Sequence, residues 1–253
     1  AATQNAAQVT PRLELILRKD VIITGSAVLP MPDANHACLV RSTDRAVSGV
    51  LDEVITYFQS RDIPPTFYLS PACTPDDLPE RLAARGFAKQ AEEEAWMVLR
   101  DIPNVDLPSS TPNVRVKSIG RDQVATFAEV FLEAFGMPAE FAPPFVQLLE
   151  PSVGLENARH YLAFDGERPI GTCSLLTYGP YGVLGSAGVI RSRRGRGAAT
   201  NLAVAAVEEA RRRGVTTVML QTTAGTLLER LLRIYGFERV FTRTCYGFSD
   251  AAY

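Results

Sequence analysis

Residues 182–200 read GVLGSAGVIRSRRGRGAAT, and this stretch decides the fold expected for the chain. Its apolar first half predicts a strand over 183–190, and a helix is predicted directly afterwards over 198–213. The loop between them therefore leads into a helix N-terminus, where backbone N–H groups lack intrahelical partners and the helix dipole attracts negative charge. Gly195 and Gly197 let an anion approach the main chain because they carry no Cβ. The stretch predicts a cradle for a large anion, such as a pyrophosphate.

Three other interpretations of this loop must be weighed. A P-loop needs a Lys after its last glycine, and none follows here. A Rossmann turn needs a third glycine where Thr200 stands, and an acidic residue where the next predicted strand ends, at 220–222. The third interpretation is a glycine-containing turn with a solvated basic rim.

Two motifs in the second half of the chain resemble those of one known family. Arg194-x-x-Gly197-x-Ala199 resembles the Arg/Gln-x-x-Gly-x-Gly/Ala signature of the GNAT N-acetyltransferase superfamily. The Gly-Phe pair at 236–237 resembles the pair that closes the fourth helix of that family. The resemblance covers residues 113–248. It implies an α/β protein with the acyl-CoA N-acyltransferase (GNAT) fold, in which helices flank a mixed twisted sheet. It also implies that the glycine loop binds the pyrophosphate of acetyl-CoA, the co-substrate.

The two halves of the chain share a pattern of residues 150 positions apart. Segments 38–42 and 188–192 are each a short apolar run that ends in Arg-Ser, and a Gly-Phe pair occurs at 86–87 as well as at 236–237. Predicted strands and helices alternate in both halves, which is typical of a mixed α/β sheet. They include a helical region over 139–149 that two prolines interrupt and two final strands over 238–242 and 244–248. The proline-rich segment 101–113 between the halves predicts a linker.

The repeat and the resemblance together imply two tandem GNAT units. We expect a degenerate GNAT-like half at residues 1–104 and a catalytic GNAT domain at residues 105–253. The first half has no glycine at 42–46, where its loop would lie, and Asp44 in that segment would repel a phosphate. A coincidence between two strand–helix–strand segments remains the alternative.

The resemblance also assigns residues to the cofactor site. The strand before the loop is expected to pair with the pantetheine arm, and a backbone N–H near Val189 or Ile190 is expected to stabilise the oxyanion. The predicted cofactor-binding residues are Ala187, Gly188, Val189, Ile190, Arg194, Gly195, Arg196, Gly197, Ala198, Ala199 and Thr200.

The motifs do not supply an acid and a base for the reaction. Many GNAT enzymes use a Glu on the fourth strand, but residues 183–190 contain no acidic residue. Glu133, with Glu140 nearby, is the candidate base, unless these residues only form a solvated helical face or the base acts through ordered water. Leu232 stands where the family often has a Tyr that protonates the thiolate. We therefore expect Tyr246, or solvent, to donate that proton.

The expected function is acetyl-CoA-dependent N-acetyl transfer to an amine of a small molecule or a peptide. By resemblance, residues 135–149 (FGMPAEFAPPFVQLL) cover the acceptor, and their aromatic and apolar character indicates an acceptor with apolar character. One alternative is a non-catalytic acyl-CoA-binding regulatory module, which the missing strand Glu favours. Another is a nucleotide-binding protein that uses the same glycine loop.

Composition limits the partners that this chain is expected to have. The 253 residues are 46% hydrophobic and 21% charged with a formal net charge of −2, so no global field attracts nucleic acid. The arginines of 191–196 lack interleaved aromatic residues, which disfavours a nucleic-acid site. No apolar run reaches the length of a membrane span, and the scattered cysteines predict neither disulfides nor a metal site. We expect a cytoplasmic protein.

Overall fold

The computed structural model describes residues 13–29 and 31–248. Contacts between residues divide the chain into two compact units, which alternate along the sequence. The loop unit contains residues 97–221 and 230–238, and the N-terminal unit contains the described parts of residues 3–96, 222–229 and 239–253. The predicted domain boundary between residues 104 and 105 stays a prediction, because this division follows contacts and not repeat units.

Strands and helices alternate through the described residues. In chain order the strands are β1 (Glu14–Leu17), β2 (Ile22–Gly25), β3 (His36–Cys38), β4 (Phe67–Leu69), β5 (Phe87–Arg100), β6 (Val114–Ser118), β7 (Ala158–Asp165), β8 (Arg168–Tyr178), β9 (Tyr181–Val189), β10 (Thr217–Thr223) and β11 (Glu238–Phe248). The helices are α1 (Val47–Gln59), α2 (Leu78–Ala83), α3 (Val124–Phe135), α4 (Ala142–Leu149), α5 (Ala198–Arg212) and α6 (Leu227–Ile234).

The sheet of the N-terminal unit has the strand order β1-β2-β3-β4-β11. β3 and β4 are parallel, and the other neighbours are antiparallel. Helix α1 connects the parallel pair and buries Val50, Val54 and Phe58, whose spacing places them on one helical face. These side chains join a core that also contains Phe67 and Phe87.

The sheet of the loop unit has the strand order β10-β9-β8-β7-β6. β6 to β9 are antiparallel neighbours, whereas β9 and β10 are parallel. Helix α3 packs against β8 and β9, and helix α5 packs against β6 to β9. This mixed α/β architecture is the fold class that the sequence predicts. None of the helices among the described residues is long and apolar enough to cross a membrane.

The structure differs from the sequence prediction at two segments. The helix predicted over 139–149 is a 3-10 turn, Ala139–Phe141, followed by α4, which places Pro143 and Pro144 in its first turn. Proline is tolerated there because a first-turn N–H has no intrahelical acceptor. The two strands predicted over 238–242 and 244–248 form the single strand β11, because Arg243 continues the extended backbone.

The two Gly-Phe pairs of the repeat have the same local structure. Gly86 has φ 86° and follows α2 shortly before β5, and Gly236 has φ 87° and follows α6 shortly before β11. Both glycines are in the left-handed region that ends many helices and that residues with a Cβ adopt only at a cost. The repeated pair is therefore a helix stop followed by a strand in both halves.

Candidate functional site

Strand β9 carries a β-bulge in the part that precedes the loop. Thr172 of β8 pairs with Gly188 and Ser174 pairs with Gly185, so two residues of β9 oppose one residue of β8. Ser186, one of the two, has φ 48°, and its carbonyl oxygen accepts a 2.7 Å hydrogen bond from Thr172 Oγ1. A bulge bends its strand and redirects the residues that follow.

The edge of β9 that faces β10 is paired over only three residues. Thr217 to Met219 pair with Tyr181 to Val183, and beyond Val183 this edge has no strand partner among the described residues. The final residues of β9 therefore have backbone groups available to an extended ligand, since strand N–H and C=O groups need partners.

Val189 directs its backbone toward that open edge. The N–H of the next residue, Ile190, donates to Ile170 O at 2.9 Å, so it points toward β8. Successive residues of a strand direct their backbone groups to alternate sides, so the Val189 N–H points away from β8. The N–H and C=O of one strand residue point to the same side. The Val189 carbonyl oxygen accepts from Arg194 Nε of the loop at 3.1 Å, which is consistent with this direction. Of the two predicted oxyanion donors, only Val189 lies on the open edge.

The loop after β9 ends in an uncapped helix. Gly195 and Gly197 have φ 77° and 84°, and Gly197 is the N-cap of α5 without a side-chain cap hydrogen bond. The first backbone bond of the helix runs from Asn201 N to Gly197 O at 2.9 Å. The N–H groups of residues 198–200 precede that bond and have no intrahelical acceptor. Together with the helix dipole, they make an anion site.

The arginines of the loop have different roles. Arg194 bridges two elements, because it donates to Val189 O at 3.1 Å and to Ala134 O, near the end of α3, at 3.2 Å. Arg193 and Arg196 instead form ion pairs with Asp165 Oδ2, at 3.5 and 3.0 Å. Asp165 was missed as a functional residue, because its only sequence signal was a turn residue between two strands.

Thr111 packs against Gly197 of the loop. The sequence gives no indication of this contact. The buried Asn201 side chain fixes this residue, because its Oδ1 accepts from Thr111 N at 2.8 Å and its Nδ2 donates to Thr111 O at 2.9 Å. A Cβ on Gly197 would overlap Thr111 Oγ1 and lie 2.7 Å from Thr111 Cβ. Gly197 is therefore required by packing as well as by its backbone conformation.

A cavity of about 690 Å³ lies beside the loop. Its lining combines the loop, the turn after β7 and the segment before β6: Thr111, Asn113, Val114, Asp165, Gly166, Gly195, Arg196 and Gly197. The cavity thus contains one carboxylate, one guanidinium and glycine backbone, a lining suited to a polar group.

Phe135, the last residue of α3, lies over Gly188 of β9. A Cβ at residue 188 would be 2.7 Å from Phe135 Cε2, so the ring rests directly on the strand backbone. The Phe135 side chain is 52% exposed. Its ring centroid is 4.6 Å from that of Phe131, which in turn stacks on Phe145 of α4 at 4.4 Å.

The predicted acid and base lie apart from these contacts. Glu133 is exposed on α3, and within the described residues its carboxylate takes part in no hydrogen bond or ion pair. Tyr246 belongs to the N-terminal unit, where it pairs with Phe67 and packs against the buried core of that unit. Leu232 is buried. The roles of Glu133 and Tyr246 stay predictions.

In the described part of the N-terminal unit, the parallel strands stay paired at the equivalent position. β3 and β4 pair at Ala37–Phe67 and Cys38–Tyr68, and the pairing continues past the end of β3. Thr74 N donates to Val40 O at 2.8 Å, and an isolated parallel bridge joins Arg41 to Thr74. The parallel pair of this unit therefore remains closed where the pair in the loop unit opens.

Comparisons with known proteins agree with this geometry. Residues 124–237 match the model of the acetyltransferase (GNAT) family. No match was found among curated proteins.

Several solved structures share the fold over nearly the whole chain. A GCN5-related N-acetyltransferase from Kribbella flavida has a TM-score of 0.73 and 14% identity, over 99% of this chain and 96% of that one. One from Sphaerobacter thermophilus has a TM-score of 0.62 and 19% identity, over 98% and 89%. A tandem GNAT protein from the clavulanic acid biosynthesis pathway has a TM-score of 0.62 and 17% identity, over 99% and 89%. Residues 124–237 therefore form an acetyltransferase domain of the GNAT family, within a chain that has the tandem GNAT fold.

Proposed function

We propose that this protein transfers an acetyl group from acetyl-CoA to an amine of a small molecule or a peptide. One observation carries the proposal: the open edge of β9 leads directly into the uncapped N-terminus of α5. An extended chain that ends in a pyrophosphate needs backbone partners along its length and an anion site at one end. The loop unit offers both in sequence.

The residues present fit acetyl-CoA at this site. The N–H groups of residues 197–200 would hold the pyrophosphate, with Arg196 at its rim. The backbone of Ala187, which shares the open edge with Val189, would pair with an amide group of the pantetheine arm. When bound, acetyl-CoA supplies the thioester that activates the acyl group.

The protein's own part in the chemistry is electrostatic and positional. The Val189 N–H points to the open edge, where it is available to stabilise a developing oxyanion. The acceptor amine must lose a proton, and β9 carries no carboxylate to receive it. We assign that role to Glu133 acting through water, because its carboxylate is exposed on the helix that packs against β9.

The sequence-based hypothesis assigns proton donation to Tyr246, with solvent as the alternative. The Tyr246→Phe variant keeps the ring that packs against the N-terminal core and removes only the hydroxyl. If Tyr246 is the donor, turnover falls by roughly tenfold or more while acetyl-CoA affinity is unchanged. Unchanged turnover would assign the proton to solvent, because a thiol with a pKa of about 8.5 leaves as a tolerable thiolate.

A second candidate is a non-catalytic acyl-CoA-binding regulatory module. The absence of any acidic residue on β9 favours it. Acetyl transfer to a panel of amines, followed by mass spectrometry of the products, separates the two functions. Binding of CoA but not of NAD or ATP would exclude a general nucleotide-binding protein. We place the protein in the cytoplasm and propose neither a nucleic-acid nor a membrane partner.

A further inference from the structure

Around β9, helix α3 packs on one face of the sheet and helix α5 packs on the other. A Cβ at Gly171 would lie 3.2 Å from both Val189 and Leu202, so Val189 faces helix α5. Neighbouring strand residues point to opposite faces, and Gly188 accordingly faces Ala134 and Phe135 of α3. The anion site is at the N-terminus of α5. Acetyl-CoA, the acyl donor, is therefore anchored by the helix that covers the face of Val189. The α3 face is left for the acceptor.

Phe135 is an exposed aromatic side chain on that face. Its ring covers Gly188, one residue before the N–H that points to the open edge, and half of its surface is exposed. Gly136, in the left-handed conformation, ends α3, and Met137 N bonds back to Leu132 O at 2.9 Å. This helix stop and the tilted contact with the Phe131 ring hold the Phe135 ring in place.

Hydrogen bonds fix one positive charge at the end of α3, close to this ring. The Arg194 guanidinium bridges Ala134 O and Val189 O, so a positive charge lies close to the end of α3. Residues 135–149 contain one carboxylate, Glu140, and no basic residue. An exposed aromatic ring suits an acceptor with a planar apolar substituent, because aromatic rings are stabilised by stacking. The fixed cation beside the ring suits an acceptor that carries one amine.

We infer that the acceptor is an arylalkylamine-type monoamine whose ring stacks on the exposed face of Phe135. The inference rests on the proposed acetyl transfer at β9. It names the acceptor class and makes Phe135 the residue that selects it.

The test compares 2-phenylethylamine, n-hexylamine and spermidine as acceptors for the full chain with acetyl-CoA. We expect 2-phenylethylamine to have the highest kcat/KM. In Phe135→Ala, the ratio of its kcat/KM to that of n-hexylamine should fall by at least about threefold, because the KM for 2-phenylethylamine rises. Phe135→Leu keeps apolar bulk and should lose the preference for the ring but not for hexylamine over spermidine. Tyr178→Ala removes an aromatic that is 65% exposed at the far end of β8 and should change neither ratio.

Two further measurements separate the possible failures. Calorimetry of 2-phenylethylamine with the CoA-bound protein measures acceptor binding without turnover, and Phe135→Ala should weaken that binding by at least about threefold. If CoA binds but the aromatic amine does not, or if spermidine is preferred, the inference is wrong and the proposed function stands. If Phe135→Ala changes the preference among acetyl-, propionyl- and butyryl-CoA instead, the ring contacts the acyl group and the inference is wrong. If CoA itself does not bind, the proposed function fails first.

Discussion

Gly197 and Gly195 are two loop glycines that share a backbone conformation and differ in their surroundings. Both have positive φ, but a Cβ at Gly195 would meet nothing within 4 Å, whereas one at Gly197 would collide with Thr111. We expect Gly195→Ala to lower the free energy of unfolding by about 1–2 kcal/mol through backbone strain. Gly197→Ala should cost about 1–3 kcal/mol more through overpacking.

Urea unfolding of both variants measures this difference directly. Combining Gly197→Ala with Thr111→Gly should recover part of the loss, because the colliding atoms are removed. Equal losses at the two glycines would contradict the packing role of Thr111.

The two histidines are buried and make stability depend on pH. His160 lies between Ser152 Oγ and Ser174 Oγ, each at 2.8 Å, and burial lowers its pKa to about 4. His36 is also buried, and burial lowers its pKa to about 4. The unfolded chain binds a proton below about pH 6.5 while the folded chain does not, so stability is lost as pH falls from about 6.5 toward 4.

Each histidine should therefore contribute a loss of about 2 kcal/mol between pH 7 and pH 5. Chemical unfolding across this range, with His160→Gln as the comparison, measures the effect. The variant should show a shallower dependence on pH than the parent. A parent protein that gains stability toward pH 5 would contradict the burial of neutral histidines.

At the residue scale, the sequence could reveal the glycines and the uncapped N–H groups but not their neighbours. Local motifs report on residues that are close in the chain. Thr111 and Phe135 reach the loop and β9 from distant segments, so no spacing indicated them. Asp165 likewise reaches Arg196 across 31 positions.

At the element scale, the last residue of β7 carries a negative charge that counteracts the positive charge of the loop. Asp165 pairs with both Arg193 and Arg196, so an incoming phosphate must share these cations with a carboxylate. We expect Asp165→Asn to raise CoA affinity about two- to fivefold at low salt, the range of exposed ion pairs, and to steepen its salt dependence.

Glu167→Gln is the matched control for that variant. Glu167 is exposed in the turn that follows Asp165 and pairs with Arg115 instead of with the loop. Its loss should leave CoA affinity unchanged in titrations at two salt concentrations. Weaker CoA binding by Asp165→Asn would contradict the idea that Asp165 and the phosphate compete for Arg193 and Arg196. It would indicate instead that Asp165 positions these arginines.

The alternation of strands and helices could be predicted because apolar periodicity is local, but the sequence left the type of the segment that forms β1 and β2 open. The sequence could not show how far two strands stay paired, because pairing depends on contacts between segments. The opening of β9 from β10 after Val183 and the continued pairing of β3 with β4 are therefore results of the structure. The bulge at Ser186 is a further result of the structure, since no sequence pattern marks a serine with positive φ.

At the scale of the whole molecule, the two halves repeat a pattern but differ at the functional position. The loop unit has an open strand edge and a glycine loop. The N-terminal unit has a closed parallel pair, and Asp44 in its corresponding loop contacts Arg81 at 3.5 Å. A chain built this way should bind one cofactor molecule, in the loop unit.

Calorimetric titration with acetyl-CoA of the full chain and of Ala199→Glu tests the central claim most directly. Ala199 is exposed in the first turn of α5, where a Glu favours the helix but places a negative charge at the anion site. The account predicts one site per chain in the parent protein. It predicts at least roughly tenfold weaker binding by Ala199→Glu, because like charges about 4 Å apart near a protein surface repel by several kcal/mol. The neutral Ala199→Gln should bind like the parent. Two sites per chain, or equal affinity of Ala199→Glu and Ala199→Gln, would contradict it.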